Sequence, residues 1–356
     1  MAFEALLAEY EARRAKALAM GGPEKLAKRK QAGQLNARER IACLVDPDSF
    51  IESGLFGTSG VYPEQAEETP GDGKIAGYAR INGRDVAIVV NDFTVKGAST
   101  SATNSKKIGH MKRTATERGM PLVIVGESTG ARLPDAMGSR GMGLLLGNDN
   151  TQFRRTRETP LATAVIGPAF GSSAWLACLA DFAVMHKGAT MAVSSPRLIE
   201  MALGEKVDLD ELGGWRMHAE VTGLVDQVVD TEPEMFGAIK QFLSYLPSHH
   251  REAPPDAPVP AGSGENMRDI IATLPERRAQ VYDVRKIARC IVDKDTLFEL
   301  KPRFGKSAVV ALARLGGKSV GIVANNPLHR GGALDADACR KIVDFLVLCD
   351  SFNVPI

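Results

Sequence analysis

Two glycine-rich turns are the parts of this sequence best suited to chemistry. The first, ESTGAR, covers residues 127–132, and the second, GPAFGSS, covers residues 167–173. Each follows a short apolar run typical of a buried strand and precedes a segment with helical periodicity. At a strand-to-helix turn, unpaired backbone N–H groups and the positive end of the helix dipole point to one spot. Such a spot stabilises an anion that forms during a reaction, for example the enolate of a thioester.

Other kinds of catalytic site are not indicated. The sequence contains no GxSxG, HExxH or P-loop motif. The stretch GMGLLLG (141–147) has the wrong spacing for a dinucleotide loop and is interpreted as core packing. The adjacent His249 and His250 have no third ligand nearby in sequence, so no metal site is predicted. The two turns could also serve only close helix–sheet packing, and their residues alone leave that alternative open.

A long internal repeat organises the elements around these turns. ARINGRDVAIVVND (79–92) is similar to ARLGGKSVGIVANN (313–326), at an offset of 234 residues. Each copy predicts a ββα unit, in which two strands joined by a hairpin turn are followed by a helix. We expect an α/β fold of two related ββα repeat halves, the second truncated, because its third apolar run begins only at Ile356. The same offset relates later residues: Lys107 to Lys341 and Pro121 to Pro355.

Local patterns predict the individual elements. Asn36 is a candidate N-cap for a helix over 36–45, and Gly119 is a candidate stop for a helix over 101–118. The Pro-, Glu- and Gly-rich stretch 63–73 is predicted to be a surface loop. Further helices are predicted at 172–180, 282–293 and 335–350, and strands at 75–81, 86–90, 122–125, 161–166, 182–185 and 191–193.

Composition sets the broad class. The chain has 356 residues, 44% of them hydrophobic, and a formal charge of +1, so it can bury a sizeable core and has no broad basic field for nucleic acid or an anionic membrane. Five cysteines without a CxxC pair indicate free thiols in a reducing, cytoplasmic compartment. No secretory signal or membrane span is predicted.

A proline-rich stretch divides the chain into an N-terminal half, 1–250, a linker, 251–280, and the start of a second half, 281–356.

Sequence blocks in a fixed order resemble the carboxyltransferase (β) subunit of biotin-dependent acyl-CoA carboxylases of the propionyl-CoA and acetyl-CoA type, whose fold is crotonase-like. They span nearly the whole chain. The blocks are LNARERIACLVDPDSFIE (35–52), TPGDGKIAGYARING (69–83), NDFTVKG (91–97), GPAFGSSA (167–174), DELGGWRMH (210–218), FLSYLPS (242–248), YDVRKIARCIVD (282–293) and VGIVANNP (320–327).

The resemblance implies a function. In the family, the N-terminal half receives acyl-CoA, and the C-terminal half receives carboxybiotin from a separate biotin carrier and biotin carboxylase. The active site lies between halves of two neighbouring subunits in a trimer of dimers. Carboxybiotin releases carbon dioxide, biotin takes the acyl α-proton, and the acyl-CoA enolate attacks the carbon dioxide. Backbone N–H groups stabilise both enolates, with no metal in this chain and no side-chain base.

The resemblance also assigns residues. The family's Gly-Gly oxyanion pair on the acyl-CoA side falls on Gly171 and Ser172. Its Asp-Ser-Gly-Gly-Ala-Arg turn places Gly130 and Ala131 near the thioester. Arg132 is then a candidate for contact with a CoA phosphate or for a surface salt bridge. Lys96 is a further substrate-contact candidate, because the family has a Gly-Gly-Ser loop at this point. The chain departs from the family pattern at Ser172, Glu127 and Thr129.

Alternatives remain at this stage. A biotin-dependent acyl-CoA decarboxylase of the glutaconyl-CoA type would have the same fold, and the departures could mark a non-catalytic acyl-CoA-binding paralogue. The biotin-side oxyanion turn of the second half would lie beyond Ile356. We therefore predict little carboxylation activity for this chain alone. The preferred acyl group is not readable from these residues.

Overall fold

A twisted sheet of eight strands forms the centre of the chain. The computed structural model describes residues 2–60, 63–139, 141, 143, 156–277 and 280–356, so most of the GMGLLLG stretch lies outside the described residues. The strands of this sheet run in the order β1-β2-β3-β4-β5-β6-β8, with β7 beside β5. They are β1 Ile51–Ser53, β2 Lys74–Ile81, β3 Arg84–Asn91, β4 Leu122–Ser128, β5 Leu161–Phe170, β6 Phe182–His186, β7 Thr190–Ala192 and β8 Gln227–Val229.

A smaller sheet and the helices complete the fold. The second sheet has the order β11-β10-β9, from β9 Phe298–Leu300, β10 Ala308–Leu315 and β11 Lys318–Asn325. The α-helices of the described residues are α1 Ala2–Leu18, α2 Pro23–Gln31, α3 Ala37–Leu44, α4 Ala102–Arg118, α5 Leu133–Ala136, α6 Ser172–Cys178, α7 Pro196–Leu203, α8 Leu209–Gly213, α9 Glu232–Tyr245, α10 Ile270–Thr273, α11 Val284–Ile291 and α12 Ala336–Ser351.

The predicted helix ends are confirmed where local chemistry fixes them. Asn36 caps α3 in a reciprocal capping box with Glu39. Helix α4 ends at Gly119, which adopts the left-handed conformation with φ 68°. The parallel strands β3 to β6 read as continuous apolar runs because helices cover both faces of the sheet.

The second glycine-rich turn is shorter than its sequence suggests. Residues 167–170 were predicted to be turn, and this is wrong, because β5 continues to Phe170. Strand β7 pairs with Pro168, Ala169 and Phe170 and so holds the backbone extended. The turn is confined to Gly171, whose φ of 64° and ψ of −125° suit a residue without a side chain.

The two hairpins have equivalent geometry at the repeat offset. In each unit the second strand leads to a left-handed turn, at 96–98 after β3 and at 330–332 after β11. In the first unit Lys107 of α4 donates to the carbonyl of Lys74, and in the second Lys341 of α12 donates to Ala308 at 2.9 Å. The backbone bond from Ala87 to Pro121, 2.9 Å, has its counterpart from Gly321 to Pro355, 2.7 Å. Each of these pairs is 234 residues apart.

The part after the proline-rich segment packs into the same core as the part before it. The ring of Phe182 stacks on Phe242 with centroids 4.6 Å apart and lies 5.7 Å from Phe298 of β9. The proline-rich segment itself is tied to β10 and its hairpin. Arg314 donates to the carbonyl of Pro255 at 2.8 Å, and Ala257 donates to Gly317 at 2.9 Å. The division into two halves and a linker stays a prediction.

The end of the stretch 63–73 is not a surface loop. Thr69 and Asp72 are fully buried, and the neighbouring glycines 71 and 73 are buried as well. The prediction was wrong here because the carboxylate of Asp72 has internal partners, which the local composition does not reveal.

Candidate active site

The two glycine-rich turns lie against each other in the fold. A side-chain Cβ built on Gly171 would lie 3.7 Å from the Cα of Gly130. They meet because β4 and β5 are parallel neighbours, so their carboxyl ends lie at the same edge of the sheet. Thr100, just after the 96–98 turn, contacts both: its N–H donates to the carbonyl of Gly130 at 2.8 Å, and its Oγ1 lies 2.8 Å from the Oγ of Ser172. Three segments distant in sequence therefore form one site.

The N-terminus of α6 offers backbone donors to this site. The helix has no side-chain cap at Gly171. The N–H of Gly171 itself donates to the carbonyls of Ala192 and Val193, at 3.2 and 3.1 Å. No backbone acceptor for the N–H of Ser172 is found in the described part of the chain. Of the predicted pair, Ser172 is therefore the residue whose amide is available to a ligand.

The first turn is shaped by its own side chains. Gly130 has φ 97°, and its N–H donates to the hydroxyl of Ser128 at 3.2 Å. The next residue, Ala131, is exposed and pairs with Thr100 as an isolated parallel bridge. This pairing uses the carbonyl of Gly130 and the N–H of Arg132, so the N–H of Ala131 faces away from it. The structure brings together Gly130, Ala131, Gly171 and Ser172.

Arg132 is directed into the protein. Its guanidinium is buried, with Nη1 2.6 Å from Asp72 and 3.6 Å from Asp135. Its Nε also donates to the hydroxyl of Ser99 at 3.2 Å. Between the two sequence interpretations, phosphate contact or salt bridge, the geometry is that of a salt bridge, and a buried one. From the interior of the protein, Arg132 thus orients the turn that carries Ala131.

Lys96 lies at the rim of the site. It has φ 48° within the left-handed turn 96–98 and forms an ion pair with Glu68, both side chains being largely exposed. The following Gly97 lies against Thr129: a Cβ there would be 2.7 Å from the Thr129 methyl group. The turn therefore touches the first glycine-rich turn, and an anion that binds the Lys96 ammonium group would compete with Glu68 for it.

A buried ion network supports the first turn from the other side. Glu127, at the end of β4, accepts from Arg29 of α2 and from Arg40 of α3, the latter at 2.9 Å. Arg40 also binds Glu232 through Nε at 2.7 Å. Gly167 on β5 has no room for a side chain, because a Cβ would lie 2.5 Å from the Glu127 carboxylate. The departure at Glu127 thus belongs to a packed charge network.

Lys74 holds the backbone beneath the site. It is buried, and its Nζ donates to Asn91 Oδ1 at 3.0 Å and to the carbonyl of Ala98 at 3.3 Å. Asn91 in turn donates to the carbonyl of Glu127 at 3.0 Å, so this pair links the 96–98 turn to the first glycine-rich turn. Burial lowers the pKa of Lys74 to about 7, an effect that the charge of Asp72 opposes.

A Lys74→Met variant should lose part of the pH dependence of stability. Above a folded-state pKa of about 7 and below an unfolded pKa of roughly 10.4, the unfolded chain binds a proton that the folded chain lacks. The free energy of unfolding therefore rises with pH across this window, by up to roughly 1.4 kcal/mol per pH unit from this residue. Urea unfolding at several pH values measures the slope, and the variant's slope should be smaller.

The matched control for this prediction is Lys318→Met, since Lys318 is 75% exposed. Its pH slope should equal that of the wild type. An unchanged slope in Lys74→Met would contradict the burial of an uncharged amine at this position.

Comparison with known proteins decides the family. Residues 28–356 match the carboxyl transferase domain. The chain belongs to the carboxyltransferase family. It is 36% identical over 341 residues to the putative propionyl-CoA carboxylase beta chain of Bacillus subtilis, covering 94% of this chain and 65% of that one. It is 32% identical to the methylmalonyl-CoA decarboxylase subunit alpha of Veillonella parvula, covering 96% and 67%. The chain thus spans about two thirds of the length of these relatives.

Solved structures agree with this assignment. The crystal structure of transcarboxylase 12S, a hexamer with hydrolysed methylmalonyl-coenzyme A bound, matches with a TM-score of 0.90 and 30% identity, over 99% of this chain and 70% of that one. The mixed α/β fold is therefore that of carboxyltransferase domains, as the sequence blocks indicated.

Within the residues that the structure describes, no group of acidic, histidine or cysteine side chains is arranged for a metal. Nor does any described helix have the length and apolarity to span a bilayer.

Several residues of the candidate site were missed in the sequence. Thr100, Asp72 and Lys74 carry no motif of their own, and each matters through partners far along the chain. The signal that could have found Lys74 is a lysine at the start of a strand whose next five residues, IAGYA, are uncharged. Thr100 has no comparable signal.

Proposed function

We propose that this carboxyltransferase chain binds an acyl-CoA thioester at the junction of the two glycine-rich turns and stabilises its enolate there. The carboxyl group would come from carboxybiotin. The observation that carries the proposal is the meeting of Gly130 and Gly171, which places the exposed Ala131 turn beside an uncapped helix N-terminus. An enolate oxygen between them would meet donors from two sides.

The donors assigned by this proposal are backbone groups. The N–H of Ser172 lies at the positive end of α6, and the N–H of Ala131 points out of its bridge with Thr100. Gly171 contributes by its conformation, which leaves open space for the thioester, while its own N–H is used by β7. Lys96 would contact the CoA portion at the rim through its ammonium group, in exchange for its ion pair with Glu68.

Carboxybiotin is the co-substrate in this proposal, and it supplies the carboxyl group when bound. Its carrier and a biotin carboxylase would be the partner proteins, and a homo-oligomer of the trimer-of-dimers type would complete the site. The equivalent hairpins, turns and lysine contacts at the 234-residue offset support two related halves, of which β10, β11 and α12 begin the second. The described residues show no second helix N-terminus comparable to that of α6 in this part, so we assign no residue to biotin.

Calorimetric titration tests the acyl-CoA site directly. Propionyl-CoA should bind the protein more tightly than CoA alone, because only the thioester carbonyl reaches the two donors. Equal affinities of CoA and propionyl-CoA would contradict the proposal. If the thioester binds but a carboxylated biotin carrier gives no transfer, the non-catalytic alternative is favoured.

A second candidate function is decarboxylation of a carboxylated acyl-CoA. It is favoured by the similarity to the Veillonella parvula subunit, which is named for the reverse chemistry. Both reactions pass through the same enolate, so the same donors would serve. Initial rates of carboxyl transfer in the two directions separate the candidates, from methylmalonyl-CoA to a biotin carrier and from the carboxylated carrier to propionyl-CoA. A decarboxylase subunit should favour the first direction and a carboxylase subunit the second.

A further inference from the structure

Thr100 is the residue at which the three segments of the site are joined. We propose that its hydroxyl group aligns the two donor turns with each other, so that Thr100 is a positioning residue for the thioester carbonyl. The proposal rests on the acyl-CoA site proposed above. It adds a residue that lies outside both glycine-rich turns.

The backbone of Thr100 is fixed to the first turn. Its N–H donates to the carbonyl of Gly130, and its carbonyl accepts from the N–H of Arg132, both at 2.8 Å. These two bonds bracket Ala131 as in a short parallel ladder. Any movement of Thr100 would therefore be transmitted to the proposed Ala131 donor.

The side chain of Thr100 is fixed to the second turn. Its Oγ1 lies 2.8 Å from the Oγ of Ser172, and Thr100 is only 3% exposed. A buried hydroxyl that loses its partner is left unsatisfied, which favours the bonded arrangement. The bond thus holds the first residue of α6, whose N–H is the other proposed donor, at a set distance from Gly130 and Ala131.

Thr100 is itself held from both sides along the chain. Ser99 accepts a hydrogen bond from Arg132 Nε at 3.2 Å, and the hydroxyl of Ser101 binds the buried carboxylate of Asp72. Asp72 also binds Arg132 at 2.6 Å. Thr100 therefore sits on a rigid base and can hold Ser172 in place.

The contact depends on the departure from the family pattern at Ser172. The resemblance expects a second glycine at position 172, and a glycine has no side chain with which to bind a hydroxyl. The serine therefore introduces both a side chain into the site and the bond that restrains it. Because proposed donors must be placed to within about 0.5 Å of their working geometry, loss of this restraint should weaken polarisation of the carbonyl more than binding.

Infrared difference spectroscopy with propionyl-CoA labelled with carbon-13 at the carbonyl tests the proposal. Donors aligned on the oxygen lower the stretching frequency of a bound carbonyl, and this signal does not require carboxyl transfer. In Thr100→Val, which keeps the shape and removes the hydroxyl, the downshift should fall by about half or more while the Kd stays within about twofold. Thr100→Ser should restore it.

Ser172→Ala removes the same hydrogen bond by changing its less buried partner. This variant keeps the proposal testable if Thr100→Val folds poorly. The double variant should resemble either single variant, since all lack one interaction. A full downshift in folded Thr100→Val or Ser172→Ala would overturn the role of Thr100. If the wild type binds no propionyl-CoA, the proposed function fails instead, and the two failures are thus distinguishable.

Discussion

A Gly171→Asp variant will fail to bind acyl-CoA. The backbone at this position, φ 64° and ψ −125°, is one that residues with side chains rarely adopt, so any substitution adds roughly 1–3 kcal/mol of strain. Space for the side chain exists, since among the described residues the nearest atom to a built Cβ is Gly130 Cα at 3.7 Å. The carboxylate would thus occupy the gap between the two turns, where the proposed enolate oxygen forms.

Charge and strain can be separated with an isosteric control. Gly171→Asn has the same size and nearly the same backbone cost, but it lacks the negative charge. Calorimetric titration with propionyl-CoA should give a Kd at least about 100-fold weaker for the aspartate variant than for the wild type, with the asparagine variant in between. Thermal unfolding confirms that both variants fold. Wild-type affinity in folded Gly171→Asp would place the thioester elsewhere.

An Arg40→Ala variant will be severely destabilised. The Arg40 side chain is 1% exposed and neutralises two carboxylates, Glu127 at 2.9 Å and Glu232 at 2.7 Å. Its removal leaves Glu232 without this bidentate partner and leaves Glu127 with Arg29 alone. Breaking a buried pair in this way typically costs about 3–5 kcal/mol, because the remaining charge stays out of water. Urea unfolding measures the loss.

The neighbouring Arg38 provides the matched control. It lies on the same helix and also pairs with a glutamate, Glu52 at 2.9 Å, but its side chain is 28% exposed. Arg38→Ala should cost roughly 1 kcal/mol or less. An Arg40→Met, Glu232→Gln combination should recover part of the lost stability, because it removes the uncompensated carboxylate together with the cation and keeps the Arg29–Glu127 pair. Equal losses for Arg38→Ala and Arg40→Ala would show that the network contributes little.

The sequence predicted those features that depend on local chemistry. The cap at Asn36, the helix stop at Gly119 and the hairpin turns follow from the conformational preferences of single residues and their near neighbours. The apolar runs of β4 and β5 predicted neighbouring buried strands, and parallel pairing then required their turns to lie at one edge. The convergence of the candidate site was therefore accessible from sequence.

What the sequence did not show depends on partners distant along the chain. Gly-Pro at 167–168 is a common turn signal, yet pairing with β7 keeps it in a strand. The end of that strand also accepts the hydrogen bond of the Gly171 N–H, so that, in the part of the chain that the structure describes, only the second of the adjacent amides of Gly171 and Ser172 is available. Asp72 has the local sequence of a loop residue, but its carboxylate is buried because it pairs with Arg132, 60 positions later. Such bonds are set by the three-dimensional fold and leave no local pattern.

The packing of Phe182 against Phe242 and Phe298 has a consequence for the continuity of the polypeptide. These rings join the two sides of the proline-rich segment, whose residues 258–265 are largely exposed. A break in that exposed stretch would cut one peptide bond and leave the aromatic contacts intact, at a cost limited to the entropy of association. Two fragments separated within this stretch should therefore remain associated through the aromatic contacts.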